Sequence, residues 1–210
     1  MKIVIAGAGE VGTHLAKMLS QENQDIILMD PNEERLKFTN NMEVLAMVGN
    51  PTSLKDLQES GIKDADLFIS VTPEEPTNIT ACMLAHSLGA HKTLARINNY
   101  EYLQPKNIEF FQKLGISSMI YPEMLAAREI VTAVQRPWAR QYWELFGGAL
   151  ILIGVKVRDN APIVNKRLTD LSLDQKLYHI VAIKRANDTI IPRGTDHIAS
   201  GDIVFFTTTR

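Results

Sequence analysis

Cysteine is almost absent. Cys82 is the single thiol in 210 residues, so no internal disulfide and no multi-thiolate metal site can form, and the usage fits a reducing, cytosolic compartment. Charge of one sign is not in excess either: 22 Lys and Arg face 24 Asp and Glu, a net charge of -2. That balance gives no overall attraction to polyanions and argues against nucleic acid as a main partner. Long hydrophobic runs are missing too. The opening M-K-I-V-I-A-G breaks at glycine before it could form a signal-peptide core. The longest apolar stretch, 145–155, is interrupted by Gly147, Gly148 and Gly154, short of the roughly 20 residues of a spanning helix. Direct membrane insertion is not expected, and any contact with a membrane would pass through a partner. The 45% of hydrophobic residues is nonetheless enough for a sizeable core.

The first two-thirds alternate β-branched runs with amphipathic stretches, which predicts an α/β fold, a doubly wound parallel sheet of Rossmann type. Strands are expected at 2–6, 25–29, 44–48, 67–70, 92–97 and 118–120, and crossover helices at 11–21, 32–41 (with Leu36 and Phe38) and 77–88. A further helix, 122–135, begins on Pro122 and ends before Pro137. Beyond it strands follow one another with short turns: 149–157, 179–184, 189–191 and 202–207. This predicts a Rossmann-type domain at 1–136 and a small β-rich α+β lobe at 143–210. A short helix is expected within 164–173, around Leu168, Leu171 and Leu173, and the last strand runs almost to Arg210, as though the chain stopped inside a longer one.

Gly7-Ala8-Gly9-Glu10-Val11-Gly12 is a G-x-G-x-x-G between the first strand and the first helix. In this pattern the first glycine makes the turn, the second lets a pyrophosphate approach the backbone, and the third lets helix pack on strand. The helix N-terminus offers its free N–H groups to the phosphates. Asp30 falls at the end of the second strand, about 20 residues on, where the fold places an acid against a ribose diol. An aspartate there favours NAD or a free-diol adenine nucleotide over NADP; the competing reading makes Asp30 a helix cap, with Pro31 at the first helical position. Gly49 and Asn50 end the third strand, where an adenine could lie, although Asn50-Pro51 also reads as a turn. Thr72 and Pro73 follow the fourth strand beside the phosphate turn. Arg96, at the end of the fifth, could clasp phosphate or pair with an acid. Glu10 suits the helix dipole but not a neighbouring phosphate.

No catalytic constellation accompanies this cradle. His14, His86, His91, His179 and His197 have no carboxylate at a catalytic spacing, Cys82 reads as a small core residue, and Trp138 and Trp143 read as packing residues at the junction.

The opening M-K-I-V-I-A-G-A-G-E-V-G, Asp30, D-A-D-L-F-I-S-V-T, T-N-I-T-A-C and L-A-R-I resemble the TrkA family, regulatory subunits of bacterial potassium uptake systems built from RCK, or KTN, domains. A-P-I-V-N-K-R-L, V-A-I-K-R and I-I-P-R-G-T-D-H-I-A-S-G-D-I-V-F-F are similar to the C-terminal lobe of that unit. The resemblance implies a cytoplasmic regulator, peripheral to the membrane's inner face, that binds NAD, NADH, ATP or ADP. It also implies a homodimer paired through the helix after the last parallel strand, assembled into a ring beneath a TrkH-like potassium transporter. The family's nucleotide contacts fall on Gly7, Ala8, Gly9, Glu10, Val11, Asp30, Thr72 and Arg96, while Pro73 removes one backbone donor. Two such units in tandem are common in the family, which would make this chain one half. The alternatives are an NAD-dependent oxidoreductase with an accessory lobe, which would consume NADH, and a structural module with a vestigial glycine loop.

Overall fold

The computed structural model describes residues 1–37, 39, 42–171 and 178–209. The β-branched runs form β1 (Lys2–Ala6), β2 (Asp25–Asp30), β3 (Leu45–Val48), β4 (Leu67–Ser70), β5 (Lys92–Arg96) and β6 (Ser118–Ile120). They pair in parallel in the order β3-β2-β1-β4-β5-β6. The order reverses between β1 and β4, and it is outside the carboxyl ends at such a reversal that doubly wound sheets take ligands. Alternation along β1 sends Ile3 and Ile5 into one core cluster and Val4 and Ala6 into another, so each face of the sheet has its own core.

The helices are α1 (Glu10–Ser20), α2 (Glu33–Leu36), α3 (Leu54–Glu59), α4 (Glu75–Ser87), α5 (Pro105–Lys113) and α6 (Pro122–Gln135). α4 buries Asn78, Ala81, Cys82 and Ala85, a stripe at helical spacing in which the small residues let helix and sheet approach closely. The helix expected over 32–41 is corrected to the single turn of α2, capped by the Asn32 side chain on the Glu34 N–H at 3.0 Å; Phe38 and Asn41 lie outside the described residues. α3 and α5 are additions. α6 has no buried residue.

Contacts divide the chain into two compact units, Met1–Leu125 and Ala126–Arg210, a division inside α6 rather than in the 136–143 stretch where the sequence suggests it. In the second unit β7 (Gln141–Leu145), β8 (Leu150–Lys156), β9 (Tyr178–Arg185), β10 (Asp188–Ile190) and β11 (Ile203–Thr208) form an antiparallel sheet in the order β10-β9-β11-β8-β7. Val157, Ile183, Ile198 and Val204 make its core. The helix expected in 164–173 is a 3-10 turn, Leu168–Asp170, and Leu173 lies outside the described residues.

One charged clamp holds the last turn of this unit. Arg185 donates from Nε and Nη2 to the two carboxylate oxygens of Asp202, both at 2.9 Å, and Asp202 also accepts from the Ala199 N–H at 2.8 Å. Arg185, then Ala199, hold the buried carboxyl of Asp202 below the usual carboxylate range against the opposing cost of burial. A group whose folded pKa is depressed contributes stability above its unfolded pKa, about 3.9, and loses it as pH falls through the folded value. The native chain is therefore expected to melt above Asp202→Asn at neutral pH, with an advantage that shrinks below about pH 4. Melting followed by tryptophan fluorescence checks this, and an advantage unchanged on acidification would show that ionisation contributes nothing.

Candidate functional site

The turn after β1 is built from glycines with different tasks. Gly7 has φ +105, donates its N–H to the Met29 carbonyl at 2.8 Å, and lies so close to β4's exit that a Cβ would stand 3.0 Å from the Thr72 nitrogen. A Cβ on Gly12 would stand 1.8 Å from the Gly7 carbonyl oxygen. Gly9 differs: its φ of -79 and ψ of -171 suit any residue, and a Cβ there would meet nothing within 4 Å. No side chain caps α1 at Gly9, so the first N–H groups of the helix have no side-chain acceptor from the cap residue. Glu10 and Val11 follow as exposed residues of the first turn.

Asp30 ties this turn to β2. Its Oδ2 accepts from the Ala8 N–H and its Oδ1 from the Asn32 N–H, both at 2.8 Å, with Arg35 Nη1 at 3.9 Å. Asp30 is 3% exposed, so its first role is to hold the glycine turn. The alternative of Asp30 as a helix cap is corrected: the cap is Asn32, and Pro31 precedes it.

The Gly49 N–H donates to the Asp30 carbonyl at 3.2 Å, which brings the end of β3 to the same edge. Asn50 serves its turn: its N–H donates to Asp56 at 2.7 Å, and its side-chain oxygen accepts from the Thr52 N–H and hydroxyl at 2.9 and 2.8 Å. Beyond β4, Pro73 is exposed and brings no donor.

Asn78, which sequence reasoning passed over, is the hub of the edge. Its side-chain oxygen accepts from the Ser70 hydroxyl, the Thr72 N–H and the Thr72 hydroxyl at 2.9, 2.9 and 2.8 Å. Its Nδ2 donates to the carbonyls of Thr72 at 3.0 Å and Arg96 at 2.9 Å. A polar residue on an otherwise small apolar helix face was the available signal. The Arg96 side chain meets Glu123 in the first turn of α6. Glu123's own backbone N–H, with a smaller contribution from Arg96, holds that carboxyl below its ordinary range.

Gly7, Ala8, Asp30, Gly49, Thr72 and the Arg96 backbone thus share one carboxyl edge, while the Arg96 guanidinium and the Asn50 oxygen carry protein partners. Cys82 is fully buried, and burial pushes its thiol up to about 12, which removes the thiolate a nucleophile needs.

A parallel sheet in this order with an open glycine turn, followed in the chain by a small antiparallel β unit, defines a Rossmann-type nucleotide fold with an accessory β lobe. Residues 3–122 match the TrkA-N domain and residues 152–210 the TrkA-C domain, and the chain belongs to the TrkA family. It is 34% identical over 217 residues to the Trk system potassium uptake protein TrkA of Halomonas elongata, covering 100% of this chain and 47% of that protein. With the TrkA homolog of Methanothermobacter thermautotrophicus it shares 35% over 195 residues, 92% of this chain and 87% of that protein. It thus spans about half the length of the Halomonas relative. In fold it is similar to the GsuK channel, with TM-score 0.67 and 16% identity over 100% of this chain and 37% of that one. A GsuK channel bound to NAD gives TM-score 0.62, with the same identity and coverage. Among the described residues no helix is long and apolar enough to cross a membrane.

Proposed function

We propose that this chain is a nucleotide-responsive regulator of potassium uptake, binding NAD or NADH at the glycine turn, with ATP or ADP as the alternatives. Its partner in this reading is a TrkH-like membrane transporter, and copies of the chain pair through α6 and assemble as a ring. The relatives' names support the transport role, and a GsuK channel bound to NAD and another bound to ADP support the ligand class. The observation that carries the reading is Gly9: an uncapped helix N-terminus with room where a Cβ would stand suits a pyrophosphate. Asp30 keeps acceptor capacity on each oxygen beyond its one backbone bond, as ribose hydroxyls require. Arg96 has donors beyond the one it gives Glu123. Such a ligand regulates only through its difference in affinity for two arrangements, and moving 1:99 to 99:1 needs about 5.5 kcal/mol, which several sites in one ring could supply.

Thermal melting with NAD, NADH, ATP and ADP tests the assignment, since a hundredfold excess over the dissociation constant adds about 2.7 kcal/mol to native stability. Gly9→Val is the informative variant, because it fits the protein alone and fills the space a phosphate needs. It is expected to melt like the native chain and to lose the nucleotide shift of the first unit's transition, followed by circular dichroism. A shift of the first unit's transition that survives in Gly9→Val, or no such shift with any nucleotide, would remove the cradle assignment.

A further inference from the structure

The second unit carries a cavity of about 860 Å³, within the range of small-molecule sites, onto which three cations and one exposed indole converge. Arg140 stands immediately before β7, its backbone N–H fixed on the Gly154 carbonyl at 2.7 Å. Lys156 ends β8 and Arg158 follows two residues later, and both line the cavity. The facing wall is the turn that the Asp202 clamp holds. The Val157 N–H donates to the Asp202 carbonyl at 2.8 Å, and the Gly201 N–H to the Val157 carbonyl at 2.9 Å. Gly201 itself, at φ +83, leaves its surroundings open, with nothing within 4 Å of a Cβ position.

The charges here are unbalanced. None of Arg140, Lys156 and Arg158 forms an ion pair among the described residues, although the whole chain is net acidic. Asp159, the acid in the lining, already accepts from the Ser200 hydroxyl. Like charges on one concavity repel, and an anion with several negative oxygens relieves that repulsion. Of the two indoles read from the sequence as packing residues, one departs from that role. Trp143 stacks on Phe205 at 6.5 Å, whereas Trp138, in the cavity wall, is 52% exposed and has no ring partner among the described residues. A free indole face beside three cations offers a flat ring its stacking surface and phosphates their counter-charge.

We propose that this cavity binds a nucleoside polyphosphate, its phosphates on Arg140, Lys156 and Arg158 and its base on Trp138. The site lies wholly in Ala126–Arg210, apart from the glycine turn in Met1–Leu125, and does not depend on that turn's assignment.

Both tryptophans of the chain lie in the second unit, so their emission reports on this site, and Trp143→Phe leaves Trp138 alone. In that background, titration with ATP is expected to change Trp138 emission saturably. Tripolyphosphate should compete more weakly than ATP, and adenosine more weakly again. Arg140→Ser, Lys156→Ser and Arg158→Ser combined should weaken ATP at least about tenfold without lowering the melting temperature, since all three side chains are exposed. Gly9→Val should leave the signal unchanged. Undiminished ATP binding in the triple variant, or no emission change at millimolar ATP, would overturn the site. Equal binding of tripolyphosphate and ATP would overturn the role of Trp138. A response to phosphatidylglycerol vesicles but not to ATP would overturn the small-molecule ligand in favour of a lipid surface.

Discussion

Replacing Gly12 by alanine is expected to unfold the first unit well below the native melting temperature. The added Cβ would stand 1.8 Å from the Gly7 carbonyl oxygen and 3.0 Å from its carbon, and the obstacle is backbone that cannot rotate away. That backbone is itself pinned by the Gly7 N–H on Met29 and pressed against Thr72. Overpacking against flexible side chains costs about 1–3 kcal/mol; against a fixed turn the loss is put at about 3 kcal/mol or more, roughly 10 °C in a chain of this size. Circular dichroism should show an early transition from the parallel sheet, while tryptophan fluorescence, confined to the second unit, follows the other separately. A Gly12→Ala protein that melts within about 2 °C of the native one would mean that α1 can lift off β1, and the close packing assigned to this glycine would be wrong.

Asn78→Asp is expected to cost nearly as much, for a different reason. The two side chains have the same shape, so no cavity opens. The carboxylate still accepts from Ser70 and Thr72, but it loses both donations to the carbonyls of Thr72 and Arg96 and sets a negative charge beside them. Asn78 is 1% exposed, so neither carbonyl finds water easily, and the cost is about 3 kcal/mol at neutral pH. The buried carboxyl favours its neutral form, which can donate again, so the deficit shrinks as pH falls toward about 4. Melting of the first unit at neutral and acid pH measures this. A pH-independent deficit would show that lost packing, not charge beside carbonyls, is the cause.

These two residues mark how far the sequence could be read. β1 and β4 have the bounds expected from composition because Ile, Val and Phe crowd into short runs. Gly12 was legible because the glycine spacing itself encodes close approach. Asn78 was not, because its partners Ser70, Thr72 and Arg96 come from two strands that only the sheet order brings together. α3 was missed for want of apolar periodicity, L-K-D-L-Q-E offering two leucines in one and a half turns. β7 was missed because Q-Y-W-E-L holds no β-branched residue and lies at the sheet's edge. Asp30 was placed correctly at the end of β2, yet its hold on the Ala8 N–H depends on a turn geometry that spacing alone does not specify.

Cys82 has a further consequence as a built-in clock. Its thiol has no exposure and sits with Val4, Phe68 and Ala95 in the core of the first unit, so a thiol reagent can reach it only when that core opens. When opening and reclosing are fast, the labelling rate counts the population of open molecules; when reclosing is slow, it counts opening events. The chain therefore carries, in one sulfur atom, a chemical record of how often its parallel sheet comes apart.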